Sequence, residues 1–494
     1  MTFTLQTYQS LSSAMKKYFL LFQILLLSLA AHAVPKLPTL FSDNMVMQQN
    51  TIAQLWGTAR PGHKVKMKAS WGAGQTVMAD AVGNWRASLP TSVAGGPYTI
   101  TVSDGKTITL NNVMLGEVWL CSGQSNMEFP VKGWAQVLHA DEEVAQAVHP
   151  DIRLLQIHKV STLHPTGEVI ANSPTWQECS PQTVPEFSAV AYFFARQLTQ
   201  ALHVPVGVID ATWGGSNIES WISGETLTQL PYMKSICDHL SGPTDRNTPT
   251  ALYNGMIRPL IPMAMRGVCW SQGEQNERRG YEYRDLFSML IRDWRKAWQR
   301  DFPFYFVQLA NFHERHQEPV EAEWAELREA QDLALHLAHT GMAVTMDIGE
   351  GGNVHYPNKQ EVGRRLALQA LAKTYGKDVT CDGPRLAGYT ISRDTVTVAF
   401  DHADGGLKAK AGRLTQFTVA GPDHIWHNAK AVIVDASHVA VWSDSVPMPV
   451  AVRYAWQDNP DADLYNGMGL PAAAFRTDDW QGMTYAKNRT NTDH

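Results

Sequence analysis

With 494 residues, 44% apolar and 18% charged, the chain has the make-up of a folded globular protein too long for one ordinary core, so two or three domains are expected. The formal net charge of -6, with Lys and Arg scattered along the chain, offers no basic field for a polyanion and excludes a nucleic-acid partner. The five cysteines (Cys121, Cys179, Cys237, Cys269 and Cys381) are widely spaced. They form no metal-like pair and no dense disulfide framework, so at most one or two bridges are expected, with a thiol left over unless it pairs with another chain.

In chain order, Lys16-Lys17, the apolar run Tyr18–Leu29 and Ala31-His32-Ala33 have the form of a secretory signal cleaved after Ala33. Met15 is the natural start of that signal, and residues 1–33 are set apart as extension and leader. Export to the periplasm or the outside is therefore expected. No later run approaches the roughly 20 apolar residues of a membrane span.

Residues 34–112 read as short alternating runs, such as Lys64-Val65-Lys66-Met67 and Tyr98–Val102, broken by Pro61-Gly62 and Gly95-Gly96. This predicts a small β-sandwich. Over 113–380 apolar runs (Val118–Cys121, Val206–Ile209, Gly267–Trp270, Phe304–Val307, Ala343–Met346) alternate with helix-like stretches (Tyr283–Trp298, Glu323–Leu337). That alternation predicts an α/β domain on a mainly parallel sheet. Residues 381–494 return to short strands, which either complete the N-terminal sandwich or form their own.

Four polar loops follow four of the apolar runs. In the first, Gly123-Gln124-Ser125-Asn126 carries a serine at a strand-to-helix turn, where its hydroxyl is exposed and its own N–H is free to face an oxyanion. An N-cap serine is the plainer alternative. In the second, Gly214-Gly215 lets the backbone approach a ligand closely, although a simple tight turn needs the same residues. In the third, Gln272 and Asn276 bring amide donors suited to an oxyanion, with Glu274 placed to orient one of them; a polar loop capping the next helix is the alternative. In the fourth, His355 has a side chain whose ordinary pKa near 6.5 suits taking a proton from a serine. Loops at the carboxyl ends of such strands converge on one sheet edge.

Together these strings resemble the sialate O-acetylesterase family of SGNH-type hydrolases. The likeness begins with Leu40–Gln49, continues through Glu117–Met127 and Trp270–Asn276, and ends with Ala451–Trp456 and Leu470–Asp478. It implies a flavodoxin-like α/β/α catalytic domain with flanking β-domains. It also implies Ser125 as nucleophile, His355 as general base, and acyl transfer through an acetyl-serine. The oxyanion donors implied are the Ser125 N–H, a Gly214 or Gly215 N–H, and the Gln272 or Asn276 side chain, with Gln124, Asn126 and Glu274 in support. Ser271 and Gln275 depart from the usual Tyr and Ser of the third block. A larger departure is Gly352, where SGNH enzymes usually carry an Asp three residues before the histidine. Asn353 holding the imidazole, Asp347 or Glu350 folding back on it, and a Ser-His dyad all stay open.

The substrate implied is an O-acetylated sialic acid, whose carboxylate calls for a cation such as Arg278 or Arg279. Acetylated plant polysaccharides such as xylan need the same catalytic parts. A carbohydrate-binding module with decayed catalytic loops is the alternative from another class. No metal-binding spacing appears, and no cofactor or metal is called for.

Overall fold

The computed structural model describes residues 34–491, so the expected leader over 1–33 lies outside them. In the N-terminal region strict alternation sets the strands. Val65, Met67 and Ala69 of Lys64–Ala69 are buried between exposed lysines. That strand pairs antiparallel with Gly74–Met78 and Gly95–Ser103, while Ile52–Thr58 pairs with Asn84–Pro90. Both sheets turn apolar side chains into one core, with Leu55, Ala87 and Leu89 from one and Met67 and Val102 from the other.

The central sheet is built from β1 (Thr107–Gly123), β2 (His149–Gln156), β3 (Gln177–Cys179), β4 (Val206–Thr212), β5 (Gly267–Ser271), β6 (Phe304–Val307) and β7 (Thr340–Ala343). Their order is β7-β6-β5-β1-β4-β2-β3, parallel throughout except for β3 against β2. β1 is 17 residues long and belongs to two sheets. Up to Asn112 it is exposed on alternate residues and pairs with Gly95–Ser103; from Val113 onward every residue is buried, and Met114–Gly116 pair with Val46–Gln48. The boundary expected at 112/113 therefore falls inside one continuous strand.

Strands buried on both faces read as near-continuous apolar runs, and all seven residues of β4 are buried, with Asp210 and Thr212 the polar members near its end. Helices α1 (Ser125–Glu128), α2 (Ala189–Leu202), α3 (Gly280–Trp298), α4 (Glu323–Leu333) and α5 (Lys359–Lys373) follow the strands. Trp119, Cys121, Val208, Cys269 and Tyr305 pack on the side of α2 and α5. Leu120, Ile209, Trp270 and Phe306 pack on the side of α3 and α4. The result is a three-layer α/β/α domain.

The C-terminal strands form two four-stranded sheets, Arg385–Ser392, Thr395–Asp401, His438–Trp442 and Lys430–Ile433 in one, Trp426–Asn428, Phe417–Ala420, Ala451–Tyr454 and Phe475–Arg476 in the other, with a two-stranded pair of Lys408–Ala409 and Leu464–Tyr465 beside them. Among the described residues they pair only with C-terminal partners, so this segment does not complete the N-terminal sandwich. All five cysteines are free thiols.

Candidate active site

β1 delivers Ser125 through a turn that only glycine can make. Gly123 has φ +137°, and a Cβ there would lie 2.0 Å from the Ser271 oxygen of β5. The next residue ties the turn to the neighbouring loop: Gln124 N–H donates to Ser271 O at 2.9 Å, and its side-chain oxygen accepts from Gly273 and Gln275 N–H. Ser125 opens α1, so its N–H has no acceptor within the helix.

Across the sheet edge, the loop after β7 brings His355 Nε2 to 2.9 Å from Ser125 Oγ. The loop starts earlier than expected, since β7 ends at Ala343 and not at Met346. Each candidate for holding the ring is engaged elsewhere. Asn353 Oδ1 accepts from the His355 backbone N–H at 3.0 Å, and its Nδ2 donates to Glu350 at 3.0 Å. Asp347 forms a bidentate pair with Arg365 at 2.6 and 2.8 Å. Asn353 thus braces the loop rather than the imidazole, and no described residue hydrogen bonds Nδ1. Of the readings left open, the geometry matches a dyad. Burial and the nearby Lys359 ammonium hold the imidazole pKa below its ordinary value, against an opposite pull from Glu128. Trp134 packs edge-on against the ring, with centroids 5.2 Å apart.

The expected oxyanion donors divide. Gly214 lies beside the serine, for a Cβ there would be 3.2 Å from Ser125 Cβ, but its N–H donates to Glu128 at 2.5 Å. The Gly215 N–H finds no acceptor among the described residues, and Gly215 lines the cavity at Ser125. Gln272 is fully buried, its amide donating to Ser216 O and Asn276 Oδ1 while its oxygen accepts from Tyr283. Asn276 donates to Glu219 at 2.9 Å and accepts from the Ile218 N–H. Both amides are locked behind the site and do not face Ser125, which corrects the expectation for them. The physical reason is that a buried amide takes its hydrogen-bond partners from the surrounding protein.

Asn126 and Glu274 form a second layer. Asn126 Nδ2 donates to Glu274 Oε1 at 2.5 Å and to Val354 O at 3.1 Å, and its Oδ1 accepts from Lys359 Nζ at 2.7 Å. Lys359 is fully buried, with its ammonium over the Tyr356 ring at 3.5 Å and the Phe129 ring at 4.8 Å. Burial pushes the lysine well below and Glu274 above their usual pKa ranges.

Ser125 opens into a cavity of about 490 Å³, walled by Trp134, Gly215, Arg246, Glu277, Trp324 and His355. Adjoining it are a cavity of about 860 Å³ beside Gln275 and one of about 690 Å³ beside Phe312 and Trp324. Of the two expected cations, Arg279 is buried in ion pairs with Glu219 (2.6 Å) and Glu282, so it is withdrawn from substrate. Arg278 is exposed, lines both adjoining cavities and has no ion-pair partner among the described residues. Sequence reasoning missed Arg246, Trp134, Trp324 and Lys359. The first three stand on loops or a helix with no strand-end signature. Lys359 had a signal in its place, the first turn of a helix four residues after His355.

Residues 115–372 match the family of carbohydrate esterases described as sialic acid-specific acetylesterases. The human sialate O-acetylesterase is 28% identical over 489 residues, covering 88% of this chain and 91% of its own length. The mouse protein of that name is 28% identical over 410 residues, covering 70% and 74%. A crystal structure of a carbohydrate acetylesterase from Xanthomonas citri superposes with a TM-score of 0.83 at 37% identity, over 90% of this chain and 100% of that one.

Proposed function

Because the chain belongs to the sialic acid-specific acetylesterase family of carbohydrate esterases, we propose that it removes O-acetyl groups from sialic acids with Ser125 as nucleophile and His355 as base. As a carboxylic ester hydrolase of that family, it is not the carbohydrate-binding module with decayed catalytic loops that stood as the alternative from another class. The 2.9 Å contact between His355 Nε2 and Ser125 Oγ carries the mechanism. Ser125 Oγ attacks the acetyl carbonyl as its proton passes to His355. The carbonyl oxygen, now negative, is received by the N–H groups of Ser125 and Gly215. Collapse expels the sugar alkoxide, which takes the proton from the imidazolium and leaves acetyl-serine. Water, deprotonated by His355, then releases acetate and restores the serine.

Recognition of a sialate carboxylate is assigned to Arg246, whose Nε donates to Gly215 O at 3.3 Å and so sets the guanidinium at the cavity wall. A second reading, a neutral acetylated polysaccharide, is favoured by Trp134, which is 54% exposed beside His355. Acetate release from O-acetylated sialic acid and from acetylated xylan, by wild type, Ser125→Ala and Arg246→Ala, tests both. Release from sialic acid that needs Ser125 and weakens without Arg246 supports the proposal. Preference for xylan, indifferent to Arg246, moves the substrate to the second reading. Release by Ser125→Ala at the wild-type rate ends the mechanism. We also read the chain as exported, from the charged start, apolar run and Ala31-His32-Ala33. A mature N-terminus at Val34 is expected, and a retained Met15 overturns it.

A further inference from the structure

We propose that Lys359 is a positioning residue for the Ser125–His355 pair, acting through the side chain of Asn126. This rests on the reading of those two residues as nucleophile and base. Asn126 directly follows the serine, and Val354 directly precedes the histidine. The bond from Asn126 Nδ2 to Val354 O, 3.1 Å long, therefore joins the backbones that carry the reacting side chains. It exists only while the amide points one way round. Lys359 Nζ, a donor with no acceptor capacity, sits 2.7 Å from Asn126 Oδ1 and fixes that orientation. Turning the amide over would set its NH2 against the ammonium and its oxygen against Glu274 Oε1 and Val354 O.

A buried ammonium is costly, and here it has one hydrogen bond and two ring faces. Such a group is kept for what it holds in place. In a site where no described residue hydrogen bonds His355 Nδ1, the clamp supplies through the backbone the positioning, though not the charge, that a carboxylate gives in a triad. The same ammonium opposes a proton on His355. The charged groups facing that ring or the ammonium are Glu128 on α1, Glu274 after β5, and Glu350 in the histidine's own loop.

The test is acetate-release kinetics on the full chain for Lys359→Met, Lys359→Gln, Asn126→Ala and the Lys359→Met/Asn126→Ala double variant, with Ser125→Ala alongside. Lys359→Met should lower kcat by about 10-fold or more with KM within about twofold. The double variant should be no slower than Asn126→Ala, because both remove one clamp. Lys359→Gln keeps a donor without the charge, so it should retain more of kcat than Lys359→Met while its acid limb moves to higher pH. Should Lys359→Met not fold, the rate and pH profile of Lys359→Gln decide. A Lys359→Met rate near wild type, losses that multiply in the double variant, or an acid limb that stays put in Lys359→Gln overturns the proposal. An active Ser125→Ala would instead overturn the nucleophile on which it rests.

Discussion

Gly123→Ala is the severest test of how the nucleophile is placed. The added Cβ would lie 2.0 Å from Ser271 O, 2.7 Å from Ser271 C and 3.0 Å from Ser271 N. Carbon–oxygen approaches in proteins rarely fall below roughly 3.3 Å, so β1 and β5 would have to part by about an ångström. Those strands lie in the middle of the sheet, with helices on both faces, and have nowhere to move. Parting them stretches the Gln124 N–H to Ser271 O bond, worth about 1 kcal/mol. Holding alanine at φ +137° costs about 1–3 kcal/mol, and overfilling the contact about 1–3 kcal/mol more. The sum, about 3–7 kcal/mol, is a large part of a typical domain's stability of about 5–15 kcal/mol. Urea unfolding and acetate release on the same preparation should show a large fall in midpoint together with a loss of most activity. Gly352→Ala, where an added Cβ meets nothing within 4 Å, should leave the midpoint unchanged or slightly raised. A Gly123→Ala variant that unfolds at the wild-type midpoint and keeps its rate would mean that this turn does not place the serine.

Gly352→Asp puts a carboxylate three residues before His355, at a position where an added Cβ meets nothing within 4 Å. It should raise kcat and, by favouring the imidazolium, move the acid limb of kcat/KM to higher pH; a slower enzyme with an unmoved limb counts against a dyad. In wild type, burial and Lys359 hold His355 below its ordinary pKa, so the base stays neutral to lower pH and the acid limb should fall below about pH 6.5. Glu128→Gln removes an opposing charge and should lower that limb further, which a pH–rate profile reads directly. Arg279→Met takes away one of the two cations on buried Glu219, the other being Arg489 at 3.1 Å. The unfolding free energy should drop by about 3–5 kcal/mol, and an unchanged urea midpoint would mean the cluster is not structural.

What the sequence made legible was what depends on local pattern. Apolar runs ending in polar loops located Ser125, Gly215 and His355, because strand ends put such loops on one edge whatever lies beyond. What stayed hidden depends on partners distant in sequence. Gln272 and Asn276 have the right chemistry for an oxyanion, but Ser216, Glu219 and Tyr283 claim their amides first. Arg278 and Arg279 are neighbours in the sequence, yet one faces solvent and the other fills a buried acidic cluster, because adjacent residues of a helical turn point in different directions. The seam between the first two domains was hidden for another reason: a strand passing from one sheet into the next changes its burial pattern without interrupting the chain.

That seam has a mechanical consequence. Thr107 and Gly123 are the two ends of one strand, kinked at Asn112 (φ +54°), whose far end is hydrogen bonded into the N-terminal sandwich and whose near end lies two residues from Ser125. Fraying of the sandwich would propagate along this strand toward the serine turn, so the two sheets are expected to unfold together in a single urea transition. A fragment begun at 113 would leave the remaining stub of β1 without its Gly95–Ser103 and Val46–Gln48 neighbours, as a bare adhesive edge. The leading β-region is thus a splint for the catalytic turn and not a detachable bead.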